Sequence, residues 1–322
     1  MAHEDASNMP VETFHTLIAK NKRNSFLLIA VFMLFFVGLG LLIGYVWGRG
    51  EIVFSFLVAA VAAIIAFSMT MASYFGGSSA LLGISKAREI RKADDPQLFN
   101  VVEELCLAGG MPLPRIYLID DTAMNAFATG RNPRHASVAI TTGLRQKLKR
   151  DELQGVMAHE LSHVRHYDIL FATLMAVMVG VLVMLCDIFL RSVFYGGVGG
   201  RRRRSSRDKG GGGVIYLILA VVAVLLAIIS PILARIIQMS LSRQREYLAD
   251  AGSVELTRNP EGLATALAKL AGDQEVLEVA NRATAPLYIV YPIKKFEARA
   301  KSIFNTHPPI KDRVARLMSL TV

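Results

Sequence analysis

Four long apolar runs dominate the pattern of hydrophobic and polar positions along this chain. They cover approximately residues 26–47, 52–74, 169–190 and 214–237. A helix needs about 20 predominantly apolar residues to cross the hydrocarbon core of a bilayer. Each run has that length and almost no charge, which favours a membrane span over a buried core helix. The pattern therefore predicts an α-helical membrane protein with about four transmembrane helices.

Shorter periodic segments outside these runs predict a mainly helical α+β domain with a small sheet. Apolar residues at helical spacing and flanking stop signals predict helices at 96–108, 240–256, 259–271 and 308–320. Residues 115–119 and 137–141 have the composition of short strands, and residues 125–129 are a third candidate. Asp151 is the predicted N-cap of a further helix. A peptide substrate could add to the edge of such a sheet as an extra strand.

The apolar runs divide the chain into five predicted parts. We expect a cytoplasmic N-terminal segment (1–25), a transmembrane hairpin (26–74), a polar part (75–168), a second hydrophobic hairpin with an Arg/Gly-rich loop at 191–213 (169–237), and a second polar part (238–322). Between residues 152 and 190 only Gly155 and Gly180 could interrupt a helix. We therefore expect the helix that begins near residue 152 to continue into the third apolar run.

The charges flanking the first two runs predict the orientation of the chain. The formal net charge is +10, and Lys20, Lys22 and Arg23 precede the first run. Four more basic residues follow the second run, namely Lys86, Arg88, Arg91 and Lys92. Because Lys and Arg are enriched in cytoplasmic loops, the N-terminus and the region after residue 75 are expected in the cytoplasm.

The loop between the third and fourth runs conflicts with this charge rule. It contains seven basic residues, Arg191, Arg201, Arg202, Arg203, Arg204, Arg207 and Lys209. If both runs span, the loop lies outside; alternatively, the hairpin enters and leaves on the cytoplasmic side, where the arginines can meet anionic lipid. The length of the runs favours spanning. The loop lacks interleaved aromatic residues and the spacing of a phosphate loop, so we expect no nucleic-acid or nucleotide partner.

The segment His159-Glu160-Leu161-Ser162-His163 contains the strongest candidate chemistry. Residues four apart lie on one face of a helix, so both imidazoles can reach one metal ion. Glu160 could then take a proton from a water molecule at the metal. The alternative is an ordinary surface helix with two histidines. The apolar flanking residues favour a buried helix instead, where these polar groups need a partner such as a metal ion.

A zinc site of this kind needs a third protein ligand. His166 is disfavoured, because seven residues of helix place it roughly 10 Å along the axis from His159. A better candidate is Glu246, in the segment Arg245-Glu246-Tyr247-Leu248-Ala249-Asp250. Asp250, one turn further on, could accept a hydrogen bond from a ligating histidine. The alternative for both acids is a solvated charged helix face.

The order of these features resembles the HtpX-type membrane zinc endopeptidases, relatives of the type I CAAX prenyl proteases. Two hydrophobic segments precede the first motif, two separate it from the second, and Thr306-His307-Pro308-Pro309 follows. The resemblance covers nearly the whole chain. It implies a zincin-type catalytic domain with one Zn²⁺ per chain, held by His159, His163 and Glu246, with Glu160 as general base. It also implies that Asn125 lies near bound substrate and that His307 stabilises the transition state.

The same resemblance implies a multi-pass protein of a bacterial-type inner membrane whose catalytic domain faces the cytoplasm. Its substrates would be polypeptides, above all misfolded or damaged membrane proteins, which is a stress-response and quality-control role. Two other interpretations stay open. One is a prenyl-protein processing protease, for which four spans are few to enclose a large chamber. The other is a non-catalytic zinc-containing chaperone or scaffold, which would have no need of Glu160.

Overall fold

Two long helices form a hairpin at the start of the fold. A computed structural model describes residues 14–178, 180, 243–273, 275–280, 284–290 and 308–320. Helix α1 (Phe14–Trp47) is joined by a short turn to helix α2 (Ile52–Ile84). By length and composition, Ile18–Tyr45 and Ile52–Ile84 can each cross a membrane. His307, the Arg/Gly-rich loop, the second half of the third apolar run and all of the fourth run lie outside the described residues.

Small residues allow the two hairpin helices to pack closely. A Cβ atom at Gly44 would lie 2.6 Å from Cα of Ser55, and one at Gly40 would lie 2.8 Å from Cα of Ala59. Such glycines allow membrane helices to approach each other at backbone distance. Helix α2 continues ten residues beyond the predicted end at residue 74. Gly77 packs against Thr173, and this tertiary contact supports the extra turns.

The polar part contains a small mixed sheet in the order β1-β2-β4-β3. Strands β2 and β4 are parallel, while β1 pairs antiparallel with β2 and β3 pairs antiparallel with β4. The strands are β1 (Arg88–Glu89), β2 (Arg115–Ile119), β3 (Ala126–Gly130) and β4 (Ala136–Thr141). The three strands expected from the sequence are therefore present, each within one residue of its predicted bounds. Strand β3 lies at one edge of the sheet.

Helix α5 (Arg150–Arg165) is the centre of the polar part. It packs against strand β3 and against helices on several sides, and its residues Val156, Met157 and Leu161 are fully buried. The other described helices are α3 (Pro96–Gly109), α4 (Thr142–Lys147), α6 (Asp168–Met178), α7 (Arg243–Thr257), α8 (Pro260–Gly272) and α9 (Ile310–Met318). At Gly252 of α7, a Cβ atom would overlap the hydroxyl of Ser162, so this glycine allows α7 to cross α5 closely.

Two expectations for helix α5 are wrong. Asp151 is not its N-cap: the helix begins at Arg150, and Glu152 accepts a hydrogen bond of 2.7 Å from the backbone N–H of Lys149. The helix also does not continue unbroken into the third apolar run. It ends at Arg165, and Tyr167 adopts a left-handed conformation with φ of 63° before α6 begins. Contacts from α1 hold this turn, and a local sequence pattern cannot reveal them.

Helix α6 links the polar part to the membrane hairpin. Its residues Leu174, Met175 and Met178 are buried in a cluster with Phe32 of α1 and Ala66 of α2. Both of those residues lie inside the candidate membrane spans. The first ten residues of the third apolar run therefore pack along the hairpin.

Candidate metal centre

Helices α5 and α7 bring three candidate ligand atoms together. His159 and His163 are one turn apart on α5, and their Nε2 atoms lie 3.3 Å from each other. Helix α7 places the carboxylate of Glu246 beside them, with 3.7 Å from Oε2 to Nε2 of His159 and 3.7 Å from Oε1 to Nε2 of His163. One ligand atom from each residue lies within 4.8 Å of the other two.

The spacing of these atoms fits a tetrahedral zinc ion. Zinc binds histidine nitrogen and carboxylate oxygen at about 2.0–2.2 Å, so two tetrahedral ligands lie roughly 3.3–3.6 Å apart. The observed separation of 3.3 Å lies in that range, and those of 3.7 Å are just above it. Two imidazoles and one carboxylate also leave a fourth position for water or substrate, as catalytic zinc sites do.

Each candidate histidine ligand is oriented by a carboxylate on its other nitrogen. Nδ1 of His159 lies 3.0 Å from Oδ1 of Asp250, and Nδ1 of His163 lies 3.1 Å from Oδ2 of Asp168. Such contacts fix the tautomer and direct Nε2 towards the metal position. Asp250 was the expected partner of a histidine. Asp168 was missed, because it lies beyond the end of α5 and only the turn at Tyr167 brings it back.

Arg313 supports the second motif from a buried position. The sequence did not identify this residue. Arg313 of α9 is fully buried, and its Nε and Nη2 atoms donate to the two oxygens of Asp250 at 2.9 and 2.7 Å. Its Nη1 lies 3.6 Å from Oε2 of Glu246 and donates to the carbonyl of Ile289 at 3.3 Å. The available signal was its position on the face of α9 that also carries Leu317, where an arginine is unexpected without a buried acid.

The pKa values of the two candidate histidine ligands shift in opposite directions. Burial, with the nearby charges of Arg313 and His163, lowers the pKa of His159 to about 4. Burial also disfavours a charged His163, but Asp168 and Glu246 outweigh it and raise the pKa of His163 to about 9. The carboxylates therefore stabilise positive charge at the His163 ring, and the same field would stabilise a divalent ion at the Nε2 atoms.

Glu160 is placed between helix α5 and the edge strand. It is 3% exposed, and burial raises its pKa to about 7. The backbone N–H of Ala128 in β3 acts against this effect and lowers the pKa of Glu160. A carboxyl with a pKa near neutral can both accept and release a proton at that pH.

Asn125 and His166 lie outside the three-atom cluster. Asn125 directly precedes β3 and is buried, and its Nδ2 donates to the carbonyl of Val290 at 2.9 Å. Next to it, the N–H of Ile289 donates to the carbonyl of Ala126 at 3.0 Å. His166 is the C-terminal cap of α5, and its carbonyl accepts a hydrogen bond from Asn21 of α1. His307, the remaining candidate, lies outside the described residues.

Comparisons with known proteins agree on one family. The sequence profile of peptidase family M48 matches residues 92–321. A protease HtpX homologue of Listeria monocytogenes is 41% identical over 304 residues, which are 94% of this chain and 98% of that protein. One from Streptococcus uberis is 40% identical over 300 residues, with 93% and 97% covered. These matches confirm the resemblance that the motifs indicate.

A solved structure is also similar in part. The crystal structure of S. mikatae Ste24p aligns with a TM-score of 0.47 and 20% identity, over 94% of this chain and 67% of that chain.

Replacing Arg313 should destabilise the site, because the Asp250 carboxylate would then be buried without its cationic partner. Arg313→Met keeps much of the side-chain length but leaves the Asp250 carboxylate buried without its bidentate partner, which costs about 3–5 kcal/mol. We expect a lower melting temperature in detergent and faster loss of zinc to a chelator. The matched control is Arg316→Met, since Arg316 is exposed on the same helix and stacks on Tyr247. Equal behaviour of the two variants would refute the role of Arg313.

Proposed function

Since the chain belongs to peptidase family M48 and is a membrane metalloprotease, we propose that it hydrolyses peptide bonds with one zinc ion held by His159, His163 and Glu246. The observation that carries this proposal is the convergence of those three side chains within 4.8 Å. All three come from the two motifs of the sequence, and the spacing of their atoms suits tetrahedral zinc. The buried Glu160 lies beside them and can act as a proton acceptor. A purely structural zinc site needs no such group, so Glu160 supports a catalytic role.

In the proposed mechanism Glu160 moves the proton. A zinc ion in this site would supply Lewis acidity, polarising the scissile carbonyl and lowering the pKa of an attacking water molecule. Glu160 accepts the proton of that water and delivers it to the leaving amine. The backbone N–H of Ala128 favours the ionised form of Glu160, which is the form that can accept this proton. His307 is proposed to steady the negative charge on the tetrahedral carbon's oxygen.

Strand β3 is the proposed binding edge for an extended peptide. It is the edge strand on the side of α5, so a peptide added along it would run across the metal position. Asn125, at the start of β3, now holds Val290 through its amide. The Oδ1 atom of Asn125 also accepts from the N–H of Val290 at 3.5 Å, and the amide could offer this pair of contacts to the backbone of a substrate instead. Specificity would then come from side-chain pockets along the strand.

The position of the metal centre near the membrane helices supports membrane proteins as its substrates. Helix α6 starts five residues after His163 and packs along the hairpin, so the cluster lies near one end of the membrane helices. Lys20, Lys22 and Arg23 lie at this end of α1, which by the positive-inside rule is the cytoplasmic end. We therefore propose a multi-pass protein of a bacterial-type inner membrane, with a cytoplasmic zincin-type domain and four spans. A site there suits exposed segments of misfolded membrane proteins, which is a quality-control role.

The two other interpretations differ from this proposal in what they require. A non-catalytic zinc chaperone has no use for Glu160, a carboxylate that is costly to bury beside a metal ligand. A prenyl-protein processing enzyme needs a chamber for a lipid-modified C-terminus. A general endopeptidase should cleave an unmodified polypeptide such as casein, whereas neither a zinc chaperone nor a prenyl-protein processing enzyme should do so.

Removing the proton acceptor should abolish hydrolysis without removing zinc. Glu160→Gln keeps the shape of the side chain but cannot accept the water proton, so casein cleavage should fall by at least about 10²–10⁴-fold. Zinc content, measured by metal analysis of the detergent-solubilised protein, should remain near one per chain. Glu261→Gln, on the exposed start of α8, is the control and should behave as the unaltered protein. Full activity of Glu160→Gln would exclude this mechanism.

The proposed topology can be tested by thiol labelling in intact cells. In a variant lacking Cys106 and Cys186, single cysteines replace Glu51 in the α1–α2 turn, Ser205 in the Arg/Gly-rich loop, and the exposed Asp94. With four spans, a membrane-impermeant reagent should label the first two cysteines from outside and should reach Asp94→Cys only after the membrane is opened. Protection of Ser205→Cys would mean that the second hairpin does not cross, and labelling of Asp94→Cys would reverse the orientation.

A further inference from the structure

We propose that Asn21, on the first membrane helix, is a positioning residue for the metal centre. Through Asp168 it fixes the imidazole of His163, so the membrane helix contributes directly to zinc retention. This inference rests on the proposed zinc site and adds a residue that neither motif contains.

A continuous chain of hydrogen bonds connects α1 to the site. Nδ2 of Asn21 donates to Oδ1 of Asp168 at 2.5 Å and to the carbonyl of His166 at 3.0 Å. The other oxygen of Asp168 lies 3.1 Å from Nδ1 of His163. Asn21 and Asp168 are both buried, although 147 positions separate them in the chain. One carboxylate therefore joins a membrane helix to a candidate zinc ligand.

The chemistry of this contact explains why the residue is an asparagine. An ionised carboxylate buried in protein needs donors on both oxygens to offset its lost hydration. His163 serves one oxygen of Asp168, and Asn21 serves the other, with Nη1 of Arg245 further away at 3.8 Å. The amide NH₂ group of Asn21 has two hydrogens, and it uses them on two acceptors that belong to the same turn. Without Asn21, the carboxylate loses its nearest donor on that side and is free to rotate away from His163.

The same helix also holds the backbone turn that presents Asp168. Tyr167 has φ of 63°, a conformation that costs energy for a residue with a side chain. The contact of Asn21 with the His166 carbonyl and the ammonium of Lys22, 4.4 Å from the centre of the Tyr167 ring, stabilise this turn from the α1 side. The turn ends α5 and starts α6, and so it sets where Asp168 lies relative to His163.

Helix α1 is long enough both to cross the membrane and to contact the turn that contains Asp168. Its 34 residues extend about 51 Å at 1.5 Å per residue, whereas the hydrocarbon core is about 30 Å thick. The first turns of α1 therefore project beyond the bilayer and dock on the polar part. The N-terminal segment that the sequence analysis set apart at residues 1–25 thus contains, from Phe14 onwards, part of the same helix and one support of the metal site.

The test compares zinc release from the full-length, detergent-solubilised protein and its variants. Asn21→Leu keeps a similar volume but removes the amide. Loss of such an outer hydrogen bond weakens metal binding by about 10–100-fold, so zinc should pass to a chromogenic chelator faster by a similar factor. We also expect kcat to fall while KM for a peptide substrate stays nearly constant. The matched control is Asn24→Leu, a partly exposed asparagine one turn further along α1, which should release zinc at the unaltered rate.

A double-mutant cycle separates positioning from general structure. It compares zinc release from Asn21→Leu, from Asp168→Ala and from the variant with both changes. If Asn21 acts through Asp168, the double variant should release zinc no faster than Asp168→Ala alone. Unaltered release from Asn21→Leu would overturn the inference, and so would effects of the two changes that multiply in the double variant. The melting temperature should fall mainly in the zinc-loaded protein. If Asn21→Leu lowered the melting temperature of the zinc-free protein by as much, the role of Asn21 would be purely structural and the inference would be overturned.

The outcome also distinguishes this inference from the proposed function. If the unaltered protein holds zinc and Glu246→Ala loses it, while Asn21→Leu retains it normally, only the role of Asn21 fails. If Glu246→Ala retains zinc as tightly as the unaltered protein, the proposed ligand set fails, and the inference about Asn21 fails with it.

Discussion

The burial of several carboxylates around two histidines is the constraint on which this structure depends. Glu160, Glu246, Asp250 and Asp168 are each at most 8% exposed and lie in one neighbourhood. Buried ions are stable only when opposite charges and hydrogen bonds replace their water. Arg313 and Arg245 supply permanent positive charge to three of these acids. A divalent cation between His159, His163 and Glu246 would complete the charge balance, and this balance links the fold to metalloprotease activity.

Each part of the fold can be understood by what it contributes to this neighbourhood. Helix α5 presents the histidines on one face, and Gly252 allows α7 to come close enough to add its two acids. Helix α9 closes the cluster with Arg313, and the turn before α6 returns Asp168 to the back of His163. The edge strand β3 packs against α5. Helix α1 of the hairpin is hydrogen-bonded through Asp168 to His163, one of the three candidate ligands.

The sequence was informative wherever a contact was local or periodic. Residues 159 and 163 share a helix face at a spacing of four, and the short strands follow from composition, so both could be predicted. Arg313, Asp168 and Asn21 could not, because each acts through a partner that is distant in sequence or that a turn brings back. The break at Tyr167 was missed for the same reason: no Pro or Gly marks it, and contacts from α1 stabilise it. Tertiary hydrogen bonds leave no periodic signal.

X-ray absorption at the zinc edge, on the purified zinc-loaded protein, tests the central claim most directly. We predict one zinc per chain with two imidazole nitrogens at about 2.0–2.1 Å and carboxylate and water oxygens at about 2.0–2.2 Å. The Glu246→Ala variant should lose the carboxylate contribution, whereas His166→Ala should leave the spectrum unchanged. A sulfur ligand at about 2.3 Å, or loss of an imidazole in His166→Ala, would contradict the assignment of His159, His163 and Glu246 as the ligands.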